Sequence, residues 1–205
     1  MRKLVATTFM TLDGVMQAPG GPGEDDDGGF AHGGWSVGYW DERMGELAGE
    51  IHLAAGGVVF GRRTYEILAG HWPKVGDDDP LAAKLNAVPK YVASRSARTL
   101  DWNNSTLLEG DVPEAVARLK AQDGDYLLVI GSADLLQTLL RNDLVDTFKL
   151  WTFPVVVGEG KRLFGDGAVP AGLALADIET ATTGVTVATY ERAGEIAYGS
   201  FALEE

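Results

Sequence analysis

Two rhythms of apolar and polar positions alternate along the chain. Short β-branched runs give way to segments whose apolar residues return every three to four positions. Leu4 to Leu12, rich in Val, Thr and Phe, predicts a strand that stops at the turn signal Asp13-Gly14. Asp41 to Ala55 predicts a helix, with Asp41 as N-cap, Met44, Leu47, Ala48 and Ile51 on one face, and Gly56-Gly57 ending it. Val58-Val59-Phe60 predicts a short apolar strand, and Gly61 leads into a helical segment over Arg62 to Ala69. Further strands are expected at Lys90 to Ser94, Ser105 to Leu108 and Tyr126 to Ile130. Val112 to Gln122 predicts a helix capped by Asp111, with Pro113 in its first turn, and another runs from Gly131-Ser132 to about Arg141. The rhythm is then extended: Val145 to Val157, broken by Pro154, followed by strands at Leu173 to Glu179, Val185 to Glu191 and Ile196 to Phe201. Strand–helix alternation followed by antiparallel strands predicts an α/β fold, a mixed and mainly parallel sheet flanked by helices, in one domain over residues 1–205.

One stretch has neither rhythm. Gln17 to Gly38 is crowded with Gly, Pro and Asp, so no core is expected there, and a loop of that length inside a domain is commonly functional. Trp35, Tyr39 and Trp40 imply that its second half packs on something. The acidic runs Glu24-Asp25-Asp26-Asp27 and Asp77-Asp78-Asp79 read as solvated loop, since neither has the glycine turn and distal glutamate of a calcium loop.

Composition narrows the function classes. The net charge of −13 argues against nucleic-acid and anionic-membrane partners, both of which need Lys/Arg clusters. There are no cysteines, so thiolate metal sites, disulfides and a cysteine nucleophile are excluded. His32, His52 and His71 form no metal spacing, and no metal is expected. No stretch of 18 apolar residues occurs and no signal-peptide pattern opens the chain, which makes the cytoplasm the expected compartment.

The chemistry concentrates at strand-to-helix junctions. At Val59-Phe60-Gly61-Arg62-Arg63-Thr64-Tyr65 a buried strand delivers the chain to a glycine and a helix starts at once. The free N–H groups of such a start bind anions, and an arginine adds a charge-assisted bond. Val129-Ile130-Gly131-Ser132-Ala133-Asp134 repeats the layout without the arginine. Two such junctions point to a dinucleotide, although either glycine alone could serve a tight turn, and the Rossmann fingerprint is missing. Ser94-Arg95-Ser96, past a strand end, suits a phosphomonoester such as the 2′-phosphate of NADP, or equally a polar turn.

In order and spacing these pieces resemble the dihydrofolate-reductase fold, in particular the branch containing the reductase domain of bacterial riboflavin biosynthesis. Thr11-Leu12-Asp13-Gly14, Leu144-Val145-Asp146 and Pro154-Val155-Val156-Val157-Gly158-Glu159-Gly160 complete the match. The resemblance implies NADPH as cofactor, with Gly61, Arg62 and Thr64 at its phosphates, Ser94 and Arg95 at the 2′-phosphate, and Gly131, Ser132 and Ala133 under the pyrophosphate and nicotinamide side. It also implies a homodimer and hydride transfer to a small aminopyrimidine-like or pteridine-like substrate. Asp13, after the first strand, is the candidate proton relay, or else simply an Asp-Gly turn. Gln17, Trp35, Tyr39 and Trp40 are candidate substrate contacts, the aromatics alternatively capping the core. The acidic residue of dihydrofolate reductases falls at Gly45, beside Glu46 and one turn after Glu42, and the first-strand lysine of riboflavin-pathway reductases falls at Thr7. The substrate half therefore departs from both groups. The rival readings are an NADPH-binding protein without turnover and a dihydrofolate reductase proper.

Overall fold

The computed structural model describes residues 1–76, 78–96, 99–166 and 168–202. Eight strands form one sheet: β1 (Leu4–Thr11), β2 (Gly57–Gly61), β3 (Lys90–Ala93), β4 (Ser105–Leu107), β5 (Leu127–Ile130), β6 (Thr147–Phe153), β7 (Leu173–Thr180) and β8 (Thr186–Arg192). Their order across the sheet is β4-β3-β2-β5-β1-β6-β8-β7. Strands β1 to β6 pair in parallel, and β8 and β7 add an antiparallel hairpin beyond β6. Five α-helices lie among the described residues: α1 (Glu42–Leu53), α2 (Arg62–Ala69), α3 (Pro80–Ala87), α4 (Val112–Lys120) and α5 (Ala133–Arg141).

The period of two along each strand sends alternate side chains to opposite faces. Leu4, Ala6, Val59, Leu127 and Val129 meet Val116 and Leu119 of α4 and Leu135, Leu136 and Leu139 of α5 on one face. Val5 and Leu128 meet Met44, Leu47, Ala48 and Ile51 of α1 on the other. Val58, Phe60 and Val92 join Tyr65 of α2, Leu85 of α3 and Trp102 in a third cluster. Both faces of the parallel strands are thereby covered, which is why those strands read as continuous apolar runs.

Three expectations are corrected. Ile196 to Phe201 is not a strand: it pairs with no strand among the described residues, and Tyr198 and Phe201 lie open to solvent. Helix α3 was not expected, because the acidic run before it reads as solvated loop. In the structure Asp79 caps it, accepting from the Leu81 and Ala82 amides at 2.8 and 2.9 Å, while Asp77 lies outside the described residues. The 17–38 segment does hold a small core, in which buried Ala18 and Phe30 pack with Val15 and half-buried Trp35.

Candidate functional site

Neighbouring strands β2 and β5 end side by side and open into α2 and α5. The Gly61 amide donates to Ser132 Oγ at 3.0 Å, and a Cβ at Gly61 would stand 3.4 Å from Ser132 Cβ. Gly131 and Ser132 both take left-handed backbone (φ 50° and 64°), sparsely populated for serine and a frequent mark of ligand-binding turns. The first turns of α1, α3 and α4 are capped by Asp41, Asp79 and Asp111. Those of α2 and α5 carry no side-chain cap. The two uncapped starts line one cavity of about 420 Å3, at the carboxyl ends of the strands, where open α/β sheets bind ligands. Gly61, Arg62, Thr64, Ser94, Arg95, Ser132 and Ala133 share its wall, with Gly131 at its edge in the neighbouring cavity. Four basic side chains (Arg62, Arg63, Arg95, Lys161) and three carboxylates (Asp25, Asp27, Asp134) line it, with Arg63 and Lys161 bonded to Asp25 and Asp27, and Arg62 to Glu66 at 2.7 Å. Uncapped helix starts, glycine clearance and a guanidinium on the wall fit the phosphates of a dinucleotide.

A second cavity, of about 390 Å3, adjoins the first and shares Asp25, Arg63, Thr64, Ser132, Ala133 and Lys161 with it. Its wall is mainly apolar. Trp40 stacks on Trp151 with centroids 6.5 Å apart and planes 12° apart, and Phe9 leans on both rings at 6.1 and 5.3 Å. Helix α1 contributes Ala48 and His52, not the Glu42, Gly45 or Glu46 that the dihydrofolate-reductase spacing singles out. The His52 ring bonds through Nδ1 to the Ala48 carbonyl at 2.6 Å, and burial lowers its pKa, so the imidazole is neutral with Nε2 as an acceptor. Glu24 also lines the cavity, accepting from the Gly20 and Gly21 amides at 2.5 and 3.0 Å, and burial raises its pKa.

Of the substrate-side candidates, Gln17 and Trp40 line this cavity and the others do not. Trp35 is turned inward, donating to the Gln17 carbonyl at 2.8 Å and meeting Phe153 edge-on. Tyr39 also packs edge-on against Phe153. The reading of Asp13 as candidate proton relay is corrected: it lines neither cavity. Its carboxylate accepts from Thr11 Oγ1 (2.6 Å) and from the Val157 and Gly158 amides (3.3 and 2.8 Å). The Thr11 hydroxyl, then those amides, hold its pKa below the usual carboxylate range despite some desolvation. The residue braces a turn and has no proton to give near neutrality. Gln17 is likewise committed to the loop, donating to the Asp25 and Asp27 carbonyls and accepting from the Lys161 amide, each at 3.0 Å. Expectation from sequence missed His52, Trp151, Glu24, Asp25 and Lys161 as cavity residues. The Arg63 doublet beside Arg62 was visible, whereas the acidic run gave no hint that Asp25 and Asp27 reach it.

The RibD C-terminal domain model matches residues 2–187. The chain belongs to the RibD C-terminal domain family. Similar proteins include the uncharacterized protein YyaP of Bacillus subtilis, 29% identical over 192 residues and covering 92% of this chain and 94% of YyaP. YwjB of the same organism, also uncharacterized, is 27% identical over 166 residues, 80% of this chain and 83% of YwjB. Among solved structures, a putative riboflavin biosynthesis protein from Shewanella sp. PV-4 superposes with a TM-score of 0.69 at 22% identity, over 93% of this chain and 98% of that one. A pyrimidine reductase-like protein from Corynebacterium diphtheriae gives 0.61 at 13% identity, over 93% and 92%. The dihydrofolate-reductase-like α/β fold expected from sequence is the fold observed, with its antiparallel strands at the C-terminal end.

Proposed function

We propose that this member of the RibD C-terminal domain family is an NADPH-dependent reductase acting in the cytoplasm on a small aminopyrimidine-like or pteridine-like heterocycle. The observation that carries the reading is the pair of uncapped helix starts, α2 and α5, on one cavity, directly beside an aromatic-walled cavity of a size for one flat ring system. The Shewanella protein, named for riboflavin biosynthesis, and the Corynebacterium protein, named pyrimidine reductase-like, agree in kind.

NADPH, when bound, supplies the hydride. Gly61, Arg62, Thr64, Gly131, Ser132 and Ala133 would hold its phosphates through first-turn amides and the guanidinium, while Ser94 and Arg95 would take the 2′-phosphate. Trp40, Trp151 and Phe9 would form the wall against which the acceptor lies and from which water is excluded. Glu24, a carboxyl with a raised pKa in that cavity, fits the role of proton source better than Asp13. A homodimer is part of the same proposal: edge strand β7 leaves Leu175 and Ile178 each 53% exposed, an apolar edge that a second copy would cover.

Fluorescence titration with NADPH and NADH, on wild type and on Arg95→Ala, tests the cofactor. Arg95 is exposed, so its bonds to the 2′-phosphate carry a discounted value of about 1–2 kcal/mol, which predicts a roughly 5- to 30-fold loss for NADPH and none for NADH. No binding of either nucleotide removes the proposal.

A further inference from the structure

Thr7 of β1 is 4% exposed and stands in the wall of the apolar cavity. Its Oγ1 accepts from Trp151 Nε1 at 3.1 Å, which occupies one lone pair. The Thr7 hydroxyl proton has no acceptor among the described residues, whereas that of neighbouring Thr8 goes to the Phe9 carbonyl at 3.2 Å. A hydroxyl buried in an apolar wall ordinarily donates, so this one is left for a ligand. His52 supplies the opposite function. Its Nδ1 is turned back to the Ala48 carbonyl at 2.6 Å, and a carbonyl can only accept, so the ring proton sits on Nδ1. Nε2, on the far side of the ring, is an acceptor with no partner among the described residues.

The two groups face one space. Val5, two residues before Thr7 and so on the same side of β1, packs in one cluster with Ala48 and Ile51 of α1. Ala48 lies one turn before His52 on the same side of α1, and both line the cavity with Thr7. The Trp40–Trp151 stack and Phe9 add flat apolar surface beside them. One donor and one acceptor thus meet in a cavity of about 390 Å3, a size for one ring system. The complementary edge is a ring carbonyl next to a ring N–H. A ring lacking either group leaves Thr7 or His52 buried and unpaired, and a ring oxygen in place of the N–H sets one lone pair against another. Resting on the reductase reading above, we infer that Thr7 and His52 select a heterocycle with a lactam edge, –NH–C(=O)–, Thr7 Oγ1 donating to the ring carbonyl and His52 Nε2 accepting from the ring N–H.

Isothermal titration calorimetry of the full chain with NADPH, against isoquinolin-1(2H)-one and two analogues of the same shape, tests this. Isocoumarin exchanges the ring N–H for oxygen, and isoquinoline-1(2H)-thione exchanges the carbonyl oxygen for sulfur, a poorer acceptor. Wild type is expected to prefer the lactam by about tenfold or more over isocoumarin and by about fourfold or more over the thione. His52→Leu is expected to bring the first ratio below about threefold, and Thr7→Val the second below about twofold. Thr7→Val also deprives the Trp151 indole of its acceptor, but a merely structural loss weakens lactam and thione alike and leaves their ratio unmoved. No binding of the lactam, or any of these four ratios outside its range in a protein with native near-ultraviolet circular dichroism, overturns the inference. His52→Phe and Thr7→Ala, held to the same ranges, replace a variant that loses native dichroism. Failure of NADPH itself to bind removes the reductase reading, and the same ratios in the nucleotide-free protein still decide the lactam edge.

Discussion

Replacing Gln17 by Met keeps the length of a buried side chain and deletes its amide. Three hydrogen bonds are lost, to the Asp25 and Asp27 carbonyls and from the Lys161 amide. At about 1 kcal/mol net each, the sum is about 3 kcal/mol. Asp27 is exposed, so its carbonyl regains water and the expected loss is closer to 2–3 kcal/mol. The Lys161 amide belongs to a segment bound to β1's outgoing turn through Met16 N–H to Lys161 O (2.8 Å) and the Val15–Arg162 bridge. Loosening the loop therefore loosens the carboxyl end of the central strand β1, and the cost is expected in global unfolding. For a chain of this size each kcal/mol lowers Tm by about 2–4 °C, so calorimetry should show a drop of about 4–12 °C. Trypsin should also cut at Lys161 or Arg63 sooner than in wild type. An unchanged Tm with unchanged trypsin cleavage would refute the account of the loop as a built wall.

Asp13→Ala removes three bonds to a carboxylate and should lower Tm by several degrees while leaving NADPH affinity within twofold, since the residue lines neither cavity; a normal Tm with lost activity would restore it as a proton relay. Lys90, fully buried over the Trp102 ring and bonded to the Asn86, Val88 and Asn103 carbonyls, has its pKa lowered to about 8 by burial. Between pH 8 and 10.5 the unfolded chain holds a proton on this lysine that the folded chain lacks, so its contribution to stability rises with pH there, by up to about 3 kcal/mol. Urea midpoints at pH 8 and 10 should show that rise in wild type relative to Lys90→Met, and parallel behaviour of the two proteins would disprove it.

Where local physics decides, the sequence was readable. Asp41 and Asp111 cap the helices they precede, accepting from the Met44 and Glu114 amides at 2.9 and 3.1 Å, because an N-cap is settled within four residues. The glycine junctions at Gly61 and Gly131 were readable for the same reason. Ile196 to Phe201 has strand-like apolar residues but no neighbour to pair with, and strand formation needs one. Helix α3 carries its own signals, Asp79-Pro80 followed by Leu81 and Leu85, but the three-aspartate run masked the cap as a solvated tract. Asp13 was ambiguous because both readings place it after β1, and only the position of the Val157 and Gly158 amides separates them.

The substrate side was opaque for a reason that lies in the topology. Its wall gathers Phe9 from β1, Glu24 and Trp40 from the loop, His52 from α1, Leu85 from α3 and Trp151 from β6, residues that share no motif and are joined only when β1 lies between β5 and β6. The phosphate side needs two glycine junctions, at Gly61 and Gly131, each encoded in a handful of neighbouring residues. A fold built this way can exchange the residues facing the substrate one by one while each helix start remains intact. The position of Thr7 illustrates this. Where the riboflavin-pathway pattern places a lysine, Thr7 Oγ1 accepts from Trp151 Nε1 at 3.1 Å and so fixes the ring that the substrate would meet. The residue at that position thus serves an aromatic surface built from β1, β6 and the loop, and only the sheet order that sets β1 beside β6 brings its parts together.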